Sequence, residues 1–247
     1  ITGTSQLLSV PYALHAKTAE TVTGTITETD PIFGASVASG ITGTDTANWN
    51  NKQDQLTAGT GIDITGNVVS TTSGVTTYSV GDFAHGGIVF WVDETGQHGL
   101  VCAKEDQNNG SGIRWYAGTY GVTRATGDGP FSGELNTAII ISSQVSIGDD
   151  GNDYAAQICN NLQITEGGKT YGDWYLPSKK ELDLMYQNKA IIDASATANG
   201  GDVFASDYYW SSTEASNNFA WIQYFSSGHQ TSNGKVNTYR VRAVRAF

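Results

Sequence analysis

The most informative stretch for the fold is YGDWYLPSKKEL, at residues 171–182. Ser178 and Glu181 stand three residues apart at the start of an apolar pattern, which is the spacing of a capping box. In that motif the serine hydroxyl and the glutamate carboxylate each accept a backbone N–H that the first helical turn leaves unpaired. Leu182 and Met185 continue the pattern as a buried stripe. The stretch therefore predicts a helix beginning at Ser178 and a structural role for Glu181.

The chain changes composition once, near residues 73–75. Residues 1–75 contain 16 Thr, one Trp, no Cys and only two cations, whereas residues 76–247 hold the other five Trp and both Cys. A shift of this size is a signal of a domain boundary. We therefore predict an N-terminal stem over residues 1–75 and a compact head over residues 76–247.

The stem has β-prone runs but too few large apolar residues to bury a core of its own. Gly66 and Asn67 are turn residues that could close a tight hairpin between the runs at residues 61–65 and 67–70. Two interpretations are open: a flexible linker, or an elongated, β-rich fibre shaft completed by further copies of the chain. The regular alternation of Ile, Val and Leu favours the shaft, with a role in oligomerisation.

The head opens with a predicted hairpin, in which residues 87–92 and 99–103 form two apolar strands. A helix is predicted over residues 152–162, where apolar residues recur at four-residue spacing. Three acidic residues crowd its start: Asp149, Asp150 and Asp153. They could cap the helix or bind calcium, and capping is favoured because their spacing does not match a calcium-binding loop.

The chain carries 13 Lys and Arg against 24 Asp and Glu, a formal net charge of −11. Nucleic acids and anionic membrane surfaces attract positive charge, so this balance argues against both as partners. No apolar run reaches the roughly 18 residues of a membrane span, so no direct membrane insertion is predicted. The sequence starts at Ile1 without a charged-then-apolar leader, and we expect any signal peptide to lie upstream.

The sequence offers no motif for catalysis, for a metal or for a cofactor. Its four His are scattered, and its two cysteines, Cys102 and Cys159, are not at metal-ligand spacing. In an exported protein these cysteines could form a disulfide between the first hairpin and the 152–162 helix, and the alternative is two buried thiols. We therefore predict a protein without catalytic residues, metal or cofactor.

The aromatic runs near the C-terminus are interrupted by nearly uncharged loops rich in Asn, Ser and Gln. Short hydrogen-bonding side chains beside Trp and Tyr are typical of a wet recognition surface, and sugars present both apolar faces and hydroxyls to such a surface. The alternative is that these are ordinary polar loops between strands. We predict that ligand-binding residues lie in this region, namely Trp210, Asn217, Asn218, Trp221, Gln223, Tyr224, His229, Gln230, Asn233 and Asn237.

Four ordered blocks of the head resemble the Lcl C-terminal domain family, also called the Fibrobacter succinogenes major paralogous domain. The blocks are residues 86–90, 171–182, 209–214 and 241–245. The resemblance implies an α+β, C-type-lectin-like fold with two helices. It also implies the role of a surface adhesin or receptor-binding protein with a glycan or glycosaminoglycan ligand. The Glu-Pro-Asn and Trp-Asn-Asp triplets of calcium-dependent lectins are absent, so calcium-mediated binding is not implied.

Segments of the stem are similar to other extracellular proteins. Residues 8–17 resemble segments that follow the leader in secreted Bacteroidota surface proteins, and residues 48–54 resemble phage tail-fibre shafts. Shaft-and-head chains of this kind are often trimers. The resemblance therefore implies a homotrimer that is secreted to the cell surface.

Three classes of function follow. The first is an extracellular adhesin or fibre-tip protein whose head binds a surface glycan or a protein receptor without catalysis, and this is our prediction. The second is a structural subunit or cargo of a surface filament or secretion machine. The third is a glycan hydrolase, for which the sequence identifies no carboxylate pair.

Overall fold

The residues described by the computed structural model are 40–53, 62–65, 68–71 and 74–247. The chain divides into two units, with the boundary between Gly74 and Val75. Much of the predicted stem, including residues 8–17, lies outside the described residues. The described part is mixed α+β, which confirms the predicted class. The C-type-lectin-like arrangement and the trimeric shaft stay predictions.

The described part of the stem contains one helix and one hairpin. Helix α1 (Gly43–Gln53) follows Thr42, whose hydroxyl accepts the Asp45 N–H (3.3 Å) while the Asp45 carboxylate accepts the Thr42 N–H (2.8 Å). This reciprocal pair has the geometry of a capping box. Strands β1 (Ile62–Thr65) and β2 (Val68–Thr71) pair antiparallel, which confirms the predicted hairpin. Helix α1 was not predicted because its sequence, GTDTANWNNKQ, has no apolar stripe.

Within residues 75–247 the structure has nine strands, four α-helices and a 3-10 helix at Asn108–Gly110. The strands are β3 (Phe83–Ala84), β4 (Gly87–Val92), β5 (Gly99–Cys102), β6 (Ile164–Glu166), β7 (Lys169–Tyr171), β8 (Tyr208–Glu214), β9 (Phe219–Tyr224), β10 (Gln230–Gly234) and β11 (Val244–Ala246). The α-helices are α2 (Ser132–Ile147), α3 (Ala155–Asn160), α4 (Lys179–Gln187) and α5 (Lys189–Ala198). The expectation of two helices in the head is therefore wrong. No helix in the described part of the chain is long and apolar enough to cross a membrane.

The strands of the head form two main antiparallel sheets. The first has the order β11-β5-β4-β3, and its β4–β5 pair confirms the hairpin predicted at the start of the head. The second has the order β10-β9-β8, and β6 and β7 form a separate two-stranded ribbon. Val244 of the last strand pairs with Cys102 of β5, so the C-terminal end of the chain lies beside the first hairpin of the head.

The β4–β5 hairpin is buried on both faces. Side chains alternate between the faces of a strand, so neighbouring residues of this hairpin enter two separate hydrophobic clusters. One cluster contains Ile88, Phe90 and Leu100 together with residues of α4 and α5. The other contains Val89 and Val101 together with three buried Trp. The β4–β5 hairpin therefore lies between the two hydrophobic clusters and contributes side chains to both.

Helix α4 begins where the capping box places it. The Ser178 hydroxyl accepts the Glu181 N–H (3.1 Å), and Glu181 Oε2 accepts the Ser178 N–H (2.7 Å). The helix predicted over residues 152–162 is present but shorter, since α3 has Tyr154 as its N-cap. Helix α2 was not predicted because its sequence, SGELNTAIIISSQVSI, is apolar on most sides and shows no stripe.

The acidic residues before α3 stabilise the preceding loop. Asp150 forms a bidentate ion pair with Arg114, which holds the pKa of that carboxyl well below its usual range. Asp149 Oδ1 accepts the Gly151 N–H (2.8 Å). Helix α3 has no side-chain cap, so the capping prediction is wrong. The described residues also contain no group of three or more His, Cys, Asp and Glu that could hold a metal ion.

The two cysteines are free thiols, and the possible disulfide between them is not formed. Both are fully buried, but Cys102 belongs to the cluster beside α4 and α5, whereas Cys159 belongs to the other cluster. Burial raises the pKa of the Cys102 thiol to about 12 and also raises that of Cys159. The alternative of two buried thiols is therefore the correct one.

Buried, protonated thiols react slowly with disulfide reagents. We expect a colorimetric thiol titration of the native protein to detect no reactive thiol, and the same titration in denaturant without reductant to detect both. The Cys159→Ala variant should lower the denatured count to one. Detection of no thiol in the denatured wild type would show that a disulfide forms after all.

Candidate ligand-binding face

The predicted ligand-binding residues lie on and around the sheet β10-β9-β8, and strand alternation divides them between its two faces. Gln223 of β9 pairs with Gln230 of β10. Paired residues share a face, and residues two apart on a strand share it too. Trp221, two residues before Gln223, therefore lies on the same face as the Gln223–Gln230 pair. Tyr224 and Asn233 lie on the opposite face. The ten predicted residues therefore do not form one binding surface.

Two of the predicted residues are fully buried, and this corrects their interpretation as ligand contacts. Trp210 packs in the core, and its Nε1 donates to the Ile113 carbonyl (2.8 Å). The Gln223 amide donates to the Gly228 carbonyl (3.2 Å). The hydrogen-bonding groups of both side chains are thus used inside the protein, where they stabilise the sheet and cannot reach a ligand.

On the face that carries Gln223 and Gln230, which we call the first face, Lys179 covers Trp221. Its Nζ lies 4.0 Å from the centroid of the Trp221 ring, in a cation–π contact, and 3.8 Å from Asp128 Oδ2. Gln230 Nε2 donates to the Lys179 carbonyl (2.9 Å) and so holds the residue in place. A sugar ring that stacked on Trp221 would have to displace this ammonium. The first face is therefore poorly suited to a neutral ligand.

The opposite face carries three half-buried tyrosines, and we call it the tyrosine face: Tyr208, Tyr224, Tyr239, Asn233 and Asn237. The rings of Tyr208 and Tyr224 stack with centroids 4.6 Å apart, and the Tyr208 and Tyr239 centroids are 5.4 Å apart. Asn233 Nδ2 donates to the Tyr239 hydroxyl (2.8 Å). Asn237 Nδ2 donates to Asn233 Oδ1 (2.9 Å). Aromatic rings and side-chain amides thus lie side by side.

The groups on the tyrosine face are neutral. Burial raises the pKa of Tyr239, and the neighbouring Tyr208 raises it further, so the hydroxyl stays protonated at neutral pH. Arg240 follows Tyr239, but its Nε donates to Asp207 Oδ2 (3.2 Å) and its Nη1 to Asp106 Oδ2 (3.3 Å). The tyrosine face therefore offers aromatic surface and uncharged hydrogen-bonding groups. Arg240 pairs with Tyr209 and so lies on the opposite side of β8 from Tyr208.

The remaining predicted residues lie in turns at opposite ends of β9. Asn217 and Asn218 are exposed in the β8–β9 turn, where the Asn217 amide donates to Asn218 Oδ1 (2.6 Å). His229 is exposed in the turn between β9 and β10. Six residues of β9 separate the two turns, a span of roughly 20 Å in an extended strand. A small ligand could contact one of these turns but not both.

Sequence reasoning missed two of the three tyrosines. Tyr208 pairs with Tyr224 across β8 and β9, and Tyr239 reaches the face from the connection after β10. The available signal was the aromatic content of the strand that begins at Tyr208. Finding the cluster needed the register of β8 against β9, which depends on tertiary contacts.

A groove of about 540 Å³ lies elsewhere on the head, lined by residues 103–109, Asp153, Ile158 and residues 161–164. Side-chain amides line it, including those of Gln107, Asn161 and Gln163. Among the described residues its lining contains no aromatic ring and none of the predicted ligand-binding residues. It therefore lacks the stacking surface that the tyrosine face provides.

Comparisons with known proteins identify a family and similar solved structures. A family model for the Lcl C-terminal domain matches residues 98–245, which is more than half of the chain. No curated protein matches the chain. A solved structure of a fimbrial protein from Bacteroides ovatus ATCC 8483 is similar, with 18% sequence identity and a TM-score of 0.46. The similarity covers 71% of this chain and 46% of that one, so this chain spans less than half of that protein's length.

Proposed function

The chain belongs to the Lcl C-terminal domain family, as the four sequence blocks predicted, and on that premise we propose that it is an extracellular surface adhesin or fibre-tip protein. In this proposal the head binds a glycan through the tyrosine face and performs no catalysis. The stem presents the head away from the cell surface as part of a homotrimer. The resemblance of stem segments to secreted surface proteins and fibre shafts supports the location and the trimer.

The observation that carries the glycan proposal is the composition of the tyrosine face. Tyr208 and Tyr224 present stacked rings beside the linked amides of Asn233 and Asn237. Sugar rings have apolar C–H faces that pack on aromatic rings, and hydroxyls that pair with side-chain amides. Tyrosine and asparagine supply this combination at a low cost in side-chain entropy.

Replacement of Tyr224 by alanine should abolish most of the binding. Tyr224 lies at the end of β9, and truncating a central aromatic contact commonly weakens binding by about tenfold or more. The measurement is a glycan array with the full chain, followed by calorimetric titration of the glycans that bind. Tyr208→Ala should have a similar effect.

Phe219→Ala is the matched control. Phe219 is an exposed aromatic at the other end of β9, and its position places it on the opposite face of the sheet. Its loss should leave binding within about twofold of the wild type. A cooperative thermal unfolding transition in both variants would confirm that they are folded. Equal losses in the two variants, or no glycan bound by the wild type, would contradict the proposed function.

One observation favours a structural role as the second candidate. Helix α2 exposes two large apolar side chains, Leu135 (66% exposed) and Val145 (70% exposed), ten residues apart. Burial of these two side chains against a neighbouring subunit would remove apolar surface from water. A subunit of a surface filament would use it for assembly, and its head would then show no glycan binding on the array.

A further inference from the structure

We propose that the outer edge of β10 binds residues 21–29 of a second copy of the chain, which then form a fourth strand of the sheet β10-β9-β8. Strand β10 is the end strand of that sheet, and among the described residues it pairs only with β9. An unpaired strand edge is a template on which another chain can form a strand. The contact uses backbone groups and is separate from glycan binding by the tyrosine face.

The backbone groups of Gln230 and Ser232 point away from β9. In an antiparallel pair, residues bonded to the neighbouring strand alternate with residues whose N–H and C=O point to the other side. The Tyr224 N–H donates to the His229 carbonyl (2.9 Å), so His229 is a position bonded to β9. Alternation makes Thr231 the next bonded position and leaves Gln230 and Ser232 facing outward. Each of these two residues offers one donor and one acceptor to an added strand.

The edge of β10 lacks the features that usually prevent such pairing. Edge strands are commonly protected by charged residues, proline, a bulge or a covering segment. Residues 226–234 contain no Lys, Arg, Asp, Glu or Pro, and the register of β10 against β9 is regular over all five residues. The other edges of the two main sheets differ, since Arg240 pairs with the edge of β8, Tyr175 pairs with β11, and β3 has only two residues.

The sequence of residues 21–29, TVTGTITET, suits this edge, although these residues lie outside the described part of the chain. Thr occupies every odd position, and seven of the nine residues are β-branched, which favours an extended strand. Thr–Thr and Thr–Ser pairs across neighbouring strands are favourable, and β10 presents Thr231 and Ser232. Val22 and Ile26 are the only large apolar residues of the segment, so it depends on an existing sheet for stability.

The positions of the two partners along the chain favour pairing between copies. Residues 21–29 belong to the first unit of the chain, and β10 belongs to the second. A chain that carries the added strand on one unit and the free edge on the other can bind one neighbour through each. Such a contact joins different surfaces of two copies and can be repeated from copy to copy. It would link heads to stems in a surface filament.

Proline substitutions in the full chain test both partners. Ser232→Pro removes an outward N–H at an edge position where proline is compatible with a strand, and Thr25→Pro interrupts the added strand without changing the head. Light scattering of the wild type should show a mass that rises with concentration, and each variant should associate at least about tenfold more weakly. Ser232→Ala and Ser36→Pro are the matched controls and should associate like the wild type. Equal losses in the controls would contradict the proposal.

Mixing the two proline variants tests whether the strand comes from another copy. The Thr25→Pro chain keeps the β10 edge and the Ser232→Pro chain keeps residues 21–29, so the mixture should associate although neither variant does alone. Pairing within one copy would give a wild type of constant mass, and pairing of β10 with another β10 would survive Thr25→Pro. Either result would overturn the proposal. So would a mixture that does not associate although both variants unfold cooperatively.

Discussion

Replacement of Lys235 by methionine is expected to lower the free energy of unfolding by about 3–5 kcal/mol. The Lys235 side chain is fully buried, with its Nζ 2.6 Å from Glu214 Oε1 and 4.6 Å from the centroid of the Trp115 ring. The ammonium also donates to the carbonyls of Gly121 (3.0 Å) and Asn217 (2.9 Å). Its removal leaves a buried carboxylate without its counter-ion and two carbonyls without a donor. Urea denaturation followed by tryptophan fluorescence measures the loss.

Lys180→Met is the control for this prediction. Lys180 forms an ion pair with Asp183 on the surface of α4, where the two side chains are 43% and 27% exposed. Solvent-accessible pairs of this kind contribute less than about 1 kcal/mol. The Lys235 variant should also exchange the amide hydrogens of the 215–218 turn faster, since Lys235 is bonded to that turn. Similar losses of stability in the two variants would show that the buried pair is not a major contributor.

The second large effect is a dependence of stability on pH that comes from Glu181. This carboxyl is fully buried at the start of α4, and burial raises its pKa to about 7, against the opposing effect of the N–H groups that it accepts. At pH values between 4.5, the ordinary pKa of the Glu181 carboxyl, and about 7, its pKa in the folded protein, the folded state binds more protons than the unfolded state. The contribution of Glu181 is therefore fully present below 4.5 and is lost as the pH rises to about 7. The free energy of unfolding that is lost over this pH range amounts to about 3 kcal/mol.

The measurement is the difference in unfolding free energy between the wild type and Glu181→Gln, taken at several pH values from about 5 to 8. The wild type should lose stability relative to the variant as the pH rises through this range. The pKa of His85 is lowered by burial and by Arg245, so its contribution to stability changes with pH in the opposite direction. It is present in both proteins and cancels in the difference. A difference that does not change with pH, or that grows as the pH rises, would contradict the prediction.

Features that depend on neighbours along the chain could be predicted from the sequence. Helix α4 begins at the predicted position because Ser178 and Glu181 are three residues apart and satisfy the unpaired N–H groups of the first turn. The β4–β5 hairpin was equally clear, since two apolar runs are joined by a short turn. Helix α5 was missed because a single residue, Asn188, separates it from α4. Local pattern does not distinguish such a break from a continuous helix.

The candidate site was predicted only in part. The strands and loops of residues 208–239 do carry the tyrosine face, and three of the ten predicted residues, Tyr224, Asn233 and Asn237, belong to it. The others are buried, lie on the opposite face or occupy distant turns. Composition pointed to the region that carries the tyrosine face because aromatic and amide side chains are concentrated there. Composition does not record which residues share a face.

The helix start at Ser178, the first hairpin and the family could be read from the sequence, because each depends on residue types at short, defined spacings. Which aromatic rings reach solvent depends on tertiary contacts. Tyr208 and Trp210 are two residues apart on one face of β8, yet the first is half-buried and the second is fully buried. The Trp210 indole donates to the carbonyl of Ile113, a residue 97 positions earlier in the chain. Burial is set by such distant partners, and no local pattern identifies them.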